Sequence, residues 1–245
     1  MKIIDVSHHQ GNIDWKQVRK AGIDGVVIRA GYGKGNVDRK WYDNIRGVVE
    51  NDFPYIGVYW FSYAYTSDMA IHEALECDEL ISIYKDKLNL GVYFDWEYDS
   101  AKVAKKYTKV TKELVTNLNI AFCNTIECKG YHAGYYLNED YQKNYVDVSR
   151  LSKYRKWYAR YSSKATPTGA YLFQYTSSGL VGGIITRVDM NRLLAPKTTY
   201  EIAMEVLEGK WGNGTTRKNK LESAGYNYRE VQNMVNDLIR GQIYG

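Results

Sequence analysis

The chain has 245 residues, of which 44% are hydrophobic and 25% charged, an ordinary globular composition with enough apolar mass for a core. Its formal charge of +5 suits an anionic polymer such as a nucleic acid or a cell wall. The bases are dispersed and form no arginine-rich run, which argues against nucleic acid as the partner. The 24 tyrosines and 6 tryptophans, against 5 phenylalanines, favour half-wet clefts on which sugar rings can stack.

The start of the chain, MKIIDVSHHQ, leads directly into a strand-like segment and has no signal-peptide pattern. No run of 18 apolar residues occurs, so we expect no membrane span and no membrane partner. Cys77, Cys123 and Cys128 show no metal-binding spacing and are expected to be free thiols. Together these features predict a soluble protein of a reducing compartment, without a classical export signal.

Eight apolar, β-rich segments along the chain are predicted to be strands. Stretches with helical apolar spacing separate the early strands, and the first helix begins at Asp14, with Gln17 placed to complete a capping box. This alternation predicts a parallel sheet, and eight strands in one domain predict closure into a barrel. The late strands leave little room for helices, so we expect an α/β fold, an irregular TIM-like barrel with eight strands and fewer helices. The predicted strands are 2–9, 25–33, 55–64, 90–99, 131–138, 156–162, 170–177 and 184–193, and the further helices are 40–50, 67–86 and 101–118.

Near Pro196 the pattern changes from strands to helices. Three short apolar stripes follow, and the last of them begins at Asn227 with a second capping-box-like sequence. We therefore expect a barrel over residues 1–195, a linker over 196–199 and a small three-helix bundle over 200–245.

The segment GVYFDWEYDS, residues 91–100, places Asp95 and Glu97 where an apolar strand ends. Side chains alternate along a strand, so these carboxylates point to the same side, with Cα atoms roughly 6.5–7 Å apart. Barrel enzymes carry their chemistry at the carboxyl ends of the strands, where we also expect Asp5 after strand one and Asp189 after strand eight. Four converging acids raise at least one pKa, which leaves a protonated acid beside an ionised partner.

A protonated acid beside a carboxylate, between aromatic walls, is the arrangement that glycoside hydrolysis needs. A separation of about 5–5.5 Å between the two groups would imply retention of configuration. Two alternatives stay open: exposed acids at strand ends without a catalytic role, or a divalent ion held by the acids with His8 or His9. No further histidine lies near Asp95 or Asp189 in the sequence, so we favour the acid pair and expect no metal and no cofactor.

Seven segments carry a family pattern in one order along residues 1–195. They are DVSHHQGNIDW (5–15), AGIDGVVIRAGYG (21–33), GVYWFSYA (57–64), VYFDWE (92–97), WYARY (157–161), LFQYTSSG (172–179) and VDMNR (188–192). Together they resemble glycoside hydrolase family 25, the Chalaropsis-type lysozymes that are common among phage endolysins. The resemblance implies an irregular eight-stranded barrel that hydrolyses the β-1,4 bond between N-acetylmuramic acid and N-acetylglucosamine in bacterial peptidoglycan.

The resemblance also implies roles for individual residues. Glu97 would be the general acid/base and Asp95 the second catalytic carboxylate, with Asp5 and Asp189 positioning and tuning the pair. Whether Asp95 attacks the sugar or orients the substrate's acetamido group stays open. The residues that the resemblance places along the sugar groove are Tyr59, Phe61, Tyr135, Trp157 and Gln174.

The segment after residue 200 is similar to a short three-helix cell-wall-binding repeat found behind some endolysin catalytic domains. Such repeats often occur in tandem, and oligomerisation through the single copy here would multiply its binding. We expect a protein made in the host cytoplasm without a signal peptide, which acts at the bacterial cell wall after release. Two rival functions remain, a non-catalytic cell-wall carbohydrate-binding protein and a metal-dependent barrel hydrolase, and only the second would lose activity in a chelator.

Overall fold

Nine β-strands form one sheet in this computed structural model, which describes residues 1–161, 167, 169–194, 197–224 and 226–241. The strands are β1 (Lys2–Val6), β2 (Gly25–Tyr32), β3 (Asn36–Val37), β4 (Tyr55–Phe61), β5 (Gly91–Asp95), β6 (Ala133–Asn138), β7 (Arg155–Ala159), β8 (Leu172–Gly179) and β9 (Val188–Leu193). Eight of them close into a barrel in the order β1-β2-β4-β5-β6-β7-β8-β9, with β9 returning to β1, and β3 pairs with β2 outside the ring. The predicted eight-stranded barrel is confirmed.

The last strand runs against the others. Strands β1, β2 and β4 to β8 all run parallel to one another, whereas β9 is antiparallel to both of its neighbours, β8 and β1. Only residues 180–187 separate β8 from β9, and a parallel crossover needs a dozen residues or more. The expectation that Asp189 follows the carboxyl end of the last strand is therefore wrong, since Asp189 is the second residue of β9.

Six α-helices accompany the barrel strands in the described residues, fewer than one after each strand. Asp14 caps the first helix as predicted, because its side chain accepts the N–H group of Gln17. The single helix predicted over 101–118 is wrong: Thr111 caps a new helix there by accepting the N–H group of Leu114 at 3.1 Å. The helices are α1 (Trp15–Lys20), α2 (Trp41–Glu50), α3 (Ser67–Ile81), α4 (Tyr98–Ala104), α5 (Lys112–Cys128) and α6 (Glu139–Asn144).

Side chains of the barrel strands alternate between two buried layers. The larger layer lies between the strands and the helices and contains, for example, Ile4, Val26 and Phe94. The smaller layer fills the barrel interior. Because neighbours in sequence face opposite layers, a shift of one position along a strand moves a side chain from the layer beneath the helices to the barrel interior or its mouth. The interior residues are Ile3, Val27, Tyr59, Leu90, Tyr93, Trp157, Tyr171 and Leu172.

Three further helices follow the barrel, α7 (Thr199–Leu207), α8 (Gly214–Ser223) and α9 (Tyr228–Ile239). Thr198 caps α7, and Asn227 caps α9 as the sequence predicts. Residue 195 of the predicted barrel, residue 196 of the predicted linker, and residues 225 and 242–245 of the predicted bundle lie outside the described residues. The three helices share a core of their own, formed by Ile202, Ala203, Val206, Leu221, Val231, Met234 and Val235.

Candidate active site

The four predicted acids come from two neighbouring strands, β1 and β9, and from the end of β5 on the other side of the barrel. Asp5 lies in β1 and pairs with Asp189 of β9 in the strand register. Asp95 is the last residue of β5, and Glu97 caps α4, two residues further on. The sheet brings these side chains close enough for the charge of Asp189 to raise the pKa of Asp5, after burial itself. The predicted convergence of the four acids is therefore present in the structure.

The strand ends at Asp95, earlier than predicted, yet Glu97 keeps an extended backbone with φ −127° and ψ −163°. The side chain between them, Trp96, is buried in the layer beneath the helices, where its Nε1 donates to the Ala64 carbonyl at 2.8 Å. Because the extended backbone continues the alternation, Asp95 and Glu97 both face the mouth while Trp96 turns away from it.

Asp5 is held in place by amide side chains. Its Oδ2 atom accepts a hydrogen bond from Asn191 Nδ2 at 2.7 Å and another from Gln174 Nε2 at 3.0 Å. The indole N–H of Trp157 donates to Asn191 Oδ1 at 2.7 Å and so fixes the orientation of that amide. The acid of β1 is therefore positioned from three other strands of the barrel, β7, β8 and β9.

Gln174 continues this network towards Glu97. Its Oε1 atom accepts hydrogen bonds from the hydroxyl groups of Tyr136 and Tyr161, both at 3.0 Å. The Tyr136 hydroxyl also hydrogen-bonds Glu97, which lowers the pKa of that acid against the larger effect of burial. A chain of polar contacts thus runs from Asp5 through Gln174 and Tyr136 to Glu97.

Burial raises the pKa of all four carboxyl groups. For Asp5, burial and then the charge of Asp189 raise the pKa to about 8, and for Asp189 burial raises the pKa to about 6. Burial followed by repulsion from Glu97 and Asp5 raises the pKa of Asp95, and burial also raises the pKa of Glu97. The cluster therefore keeps protons at pH values where an isolated carboxylic acid has lost them.

A positive charge stands beside this cluster. Arg29 Nε donates to Asp38 Oδ2 at 2.7 Å, and His8 Nδ1 lies 3.0 Å from the same oxygen atom. The Arg29 charge opposes the effect of burial on the pKa of Asp95. His8 is thus engaged by Asp38, which lies outside the family segments quoted above and was not predicted as a site residue.

The predicted groove residues take three different positions. Tyr59 and Trp157 lie in the barrel interior with ring centroids 5.8 Å apart, and Trp157 is only 2% exposed, so it forms part of the floor. Phe61 is half-buried at the end of β4, and Gln174 lies between Asp5 and the tyrosines. Tyr135 is wrong as a groove residue, because its side chain packs in the layer beneath the helices.

Tyr136, the neighbour of Tyr135, is the residue of β6 that faces the mouth. The residue type alone does not distinguish the two adjacent tyrosines. The glycine two positions earlier, Gly134, is a usable signal, because a Cβ atom there would lie 2.4 Å from the interior ring of Tyr93. Gly134 and Tyr136 share a face by strand alternation, which assigns Tyr136 to the interior.

An open cleft of about 400 Å³ lies next to Glu97. Both aromatic and charged side chains line it, which suits a sugar ring with a polar rim. Among the described residues, no group of three or more His, Cys, Asp or Glu side chains has a metal-binding arrangement, and no helix is long and apolar enough to cross a membrane. The lining includes Glu97, Tyr98, Tyr136, Asn138, Arg160 and Tyr161.

Three solved structures illustrate what the chain is similar to. The modular autolysin LytC from Streptococcus pneumoniae, solved with a synthetic peptidoglycan ligand, is 30% identical with a TM-score of 0.67 over 78% of this chain and 46% of LytC. The CTP1L endolysin is 25% identical with a TM-score of 0.65, over 78% of this chain and 66% of that one. The catalytic domain of endolysin ply40, from bacteriophage P40 of Listeria monocytogenes, is 24% identical with a TM-score of 0.62, over 79% of this chain and 92% of that one. The chain spans about half the length of LytC.

Two family models match the sequence in separate regions. The model described as the CW_7 repeat matches residues 200–239, which contain nearly all of the three-helix bundle. The model described as glycosyl hydrolases family 25 matches residues 4–184. A search of curated protein sequences found no significant match. Because the second of these models covers most of the chain, from the first barrel strand to the loop before the last, the chain belongs to glycosyl hydrolase family 25.

Proposed function

We propose that this protein is an endolysin-type N-acetylmuramidase, a lysozyme that hydrolyses the β-1,4 bond between N-acetylmuramic acid and N-acetylglucosamine in bacterial peptidoglycan. The observation that carries the proposal is the cluster of two buried and two half-buried carboxyl groups at the barrel mouth, beside an aromatic cleft. Family membership supports cleavage of a glycosidic bond, and the peptidoglycan ligand of LytC supports this polymer as the substrate.

Glu97 is the proposed general acid. It borders the cleft, and its pKa is raised by burial, so it stays protonated towards neutral pH. In that state it can protonate the oxygen of the leaving sugar, and its carboxylate can then take a proton from the water that completes hydrolysis.

Asp95 is the proposed second carboxylate. Its Oδ1 atom is buried without a hydrogen-bond partner among the described residues. Burial and then the charges of Glu97 and Asp5 raise its pKa, and the Arg29 charge opposes that rise and so favours the ionised form. A carboxylate here stabilises the positive charge that develops on the anomeric carbon, either by attacking that carbon or by orienting the substrate's acetamido group. Both routes give retention of configuration.

Asp5 and Asp189 are proposed to tune this pair. Asp189 raises the pKa of Glu97, after burial, and Asp5 raises the pKa of Asp95 in the same way. A charged neighbour thereby keeps the general acid protonated. For the sugar groove we propose Tyr59, Phe61 and Gln174 with Trp157 as floor, and we add Tyr136 and Tyr161 in place of Tyr135.

We further propose a division of labour along the chain, with catalysis in residues 1–195, a linker over 196–199 and wall binding in residues 200–245. The CW_7 match supports the last assignment, and the site of action would be the bacterial cell wall. One module offers one contact, so self-association would strengthen binding to a polymer. Sedimentation at increasing protein concentration tests that point.

The test of the proposed function is the identity of the bond that is cut. Purified peptidoglycan is digested, the new reducing ends are reduced with borohydride, and the products are identified by mass spectrometry. We expect muramic acid at the new ends, whereas glucosamine ends or freed peptides would contradict the proposal. Addition of a chelator should leave the rate unchanged, while its loss would indicate a metal-dependent hydrolase, and wall binding without turnover would indicate a binding protein.

A further inference from the structure

Helix α3 carries a buried carboxyl group that the mechanism above does not use. Glu73 is only 2% exposed, and its Oε1 atom accepts the backbone N–H group of Tyr63 at 3.1 Å. The Ser62 side chain also hydrogen-bonds this carboxyl group and lowers its pKa against the larger effect of burial. Burying a carboxyl group that has no cationic partner is costly, so its place in the fold calls for a reason.

The segment that Glu73 holds, residues 62–64, follows directly after β4 and borders the two acids. The N–H group of Ser62 donates to the Asp95 carbonyl at 2.7 Å. The Ala64 carbonyl accepts the indole N–H of Trp96 at 2.8 Å. The segment is tied together internally as well, because the N–H group of Ala64 donates to Ser62 Oγ at 3.0 Å.

These bonds fix the two residues that set the geometry of the pair. Asp95 is held through its own carbonyl group, and Trp96 is the residue between Asp95 and Glu97. A shift of residues 62–64 would move the backbone of Asp95 and release the Trp96 ring. Either change alters the separation of the two carboxyl groups, on which catalysis by a paired acid and carboxylate depends.

We propose that Glu73 is a positioning residue for the reaction, which holds residues 62–64 so that Asp95 and Glu97 keep their productive spacing. The inference rests on the proposed function. Glu73 acts through its acceptor atom Oε1. A side chain of the same length with an oxygen atom at that place should therefore be able to replace Glu73. Burial raises the pKa of Glu73 to about 7, so a large part of this carboxyl group is protonated near neutral pH.

The variants separate this role from a merely stabilising one. Glu73→Ala removes the acceptor, so kcat on peptidoglycan should fall about 10–100-fold with KM nearly unchanged, as expected for a small misplacement of the reacting groups. Glu73→Gln keeps an oxygen acceptor at the same length and should restore kcat to within about threefold of wild type. Rates are divided by the folded fraction, which is measured by circular dichroism and thermal unfolding.

Glu76 provides a matched control on the same helix. Its Oε2 atom also accepts a backbone N–H group, that of Gly35 at 2.8 Å, but Gly35 lies between β2 and β3 and not in residues 62–64. Glu76→Ala should therefore leave kcat unchanged. If Glu73→Ala does not fold, Glu73→Asp takes its place, because the shorter side chain withdraws the acceptor and keeps the charge.

A folded Glu73→Ala or Glu73→Asp protein with wild-type kcat, or a Glu73→Gln protein as slow as Glu73→Ala, would overturn the inference. So would an equal loss of kcat in Glu76→Ala. A wild-type protein without muramidase turnover would instead refute the proposed function, so the two failures are distinguishable.

Discussion

At the scale of single residues, the surroundings of the four acids at the barrel mouth disfavour their ionised forms. Among the described residues, Asp5 is held only by neutral amide donors, from Gln174 and Asn191, while Asp189 adds a like charge opposite it. Neutral donors compensate a buried carboxylate less than a cation does. The four groups therefore hold fewer than four negative charges near neutral pH, which provides both a proton donor and an ionised partner.

Replacement of Asp5 should reveal this cost in the stability of the protein. The pKa of Asp5 rises from 3.8 to about 8 on folding, so its contribution to stability is present at low pH and is lost as the pH rises through this interval. Asn does not ionise. Between pH 4 and pH 8, the free energy of unfolding of Asp5→Asn relative to wild type should shift in favour of the variant by at least about 1 kcal/mol. Urea unfolding at both pH values measures this shift, and a constant difference would show that the pKa of Asp5 is not raised.

Asp189→Asn should act on the pH profile. Burial and then the Asp189 charge raise the pKa of Glu97, so removal of that charge lets Glu97 lose its proton at a lower pH. The alkaline limb of kcat/KM should move to lower pH, with a rate loss at the optimum of less than about 100-fold. Rates of reducing-end release from pH 4 to pH 9 give the profile. An alkaline limb that stays in place would remove Asp189 from its tuning role.

At the scale of elements, the number and order of the strands were predictable, because apolar segments and their spacing report burial directly. The face of the strand on which each side chain lies was harder to predict from the sequence. Tyr135 and Tyr136 are equally aromatic, and only their neighbours in three dimensions decide which one reaches Gln174. The direction of β9 follows from the length of the loop before it, and the short gap at residues 178–183 between the two predicted strands already excluded a parallel crossover.

Strand β6 also shows how a glycine makes room for the barrel interior. A Cβ atom at Gly134 would lie 2.4 Å from Tyr93 Cε1 and 2.6 Å from the Arg155 carbonyl oxygen. Gly134→Ala should therefore lower the free energy of unfolding by about 1–3 kcal/mol through overpacking. Urea unfolding measures it, with Gly182→Ala as the control, since the nearest atom to a Cβ there is 3.9 Å away. Equal stability of both variants would contradict this packing account.

At the scale of the whole molecule, the helical bundle and the acids lie at opposite ends of the barrel. Glu201 of α7 approaches Arg155, the first residue of β7, and His132, just before β6, with 3.9 Å between the nearest nitrogen and oxygen atoms in each pair. These residues lie at the amino ends of their strands, whereas the acids gather at the carboxyl ends of theirs, apart from Asp189. The bundle therefore leaves the mouth open to a long polymer.

Removal of the bundle should separate binding from cleavage. The bundle has its own core, so a chain that ends after Lys197 should fold and cleave small soluble muropeptides at a nearly unchanged rate. On whole walls its rate should fall, because the second contact with the polymer is lost. Parallel assays on both substrates measure the rate of the truncated chain relative to the full chain on each of them. An equal loss on the two substrates would make the bundle part of the catalytic fold.

The family and its overall architecture were readable from the sequence because seven segments keep their order over most of the chain. The polar network around the acids was not readable in the same way. Asn191, Tyr161 and Asp38 act through contacts with residues distant in sequence, and none of them stands in a local pattern that predicts its partner. The proposed roles of Asp95 and Glu97 thus follow from a local motif, whereas their electrostatic setting depends on the closed barrel.

The most direct test of the account is the rate of reducing-end release from purified peptidoglycan by Glu97→Gln. The amide keeps the shape of the side chain but has no proton to give to the leaving sugar, so kcat/KM should fall by about 10²–10⁴-fold. Asp99→Asn is the matched control, an exposed acid in the first turn of α4, and its rate at the optimum should stay close to wild type. Circular dichroism confirms that both variants are folded. A folded Glu97→Gln protein that retains a tenth or more of the wild-type rate would contradict the assignment of Glu97 as the acid, and with it the mechanism.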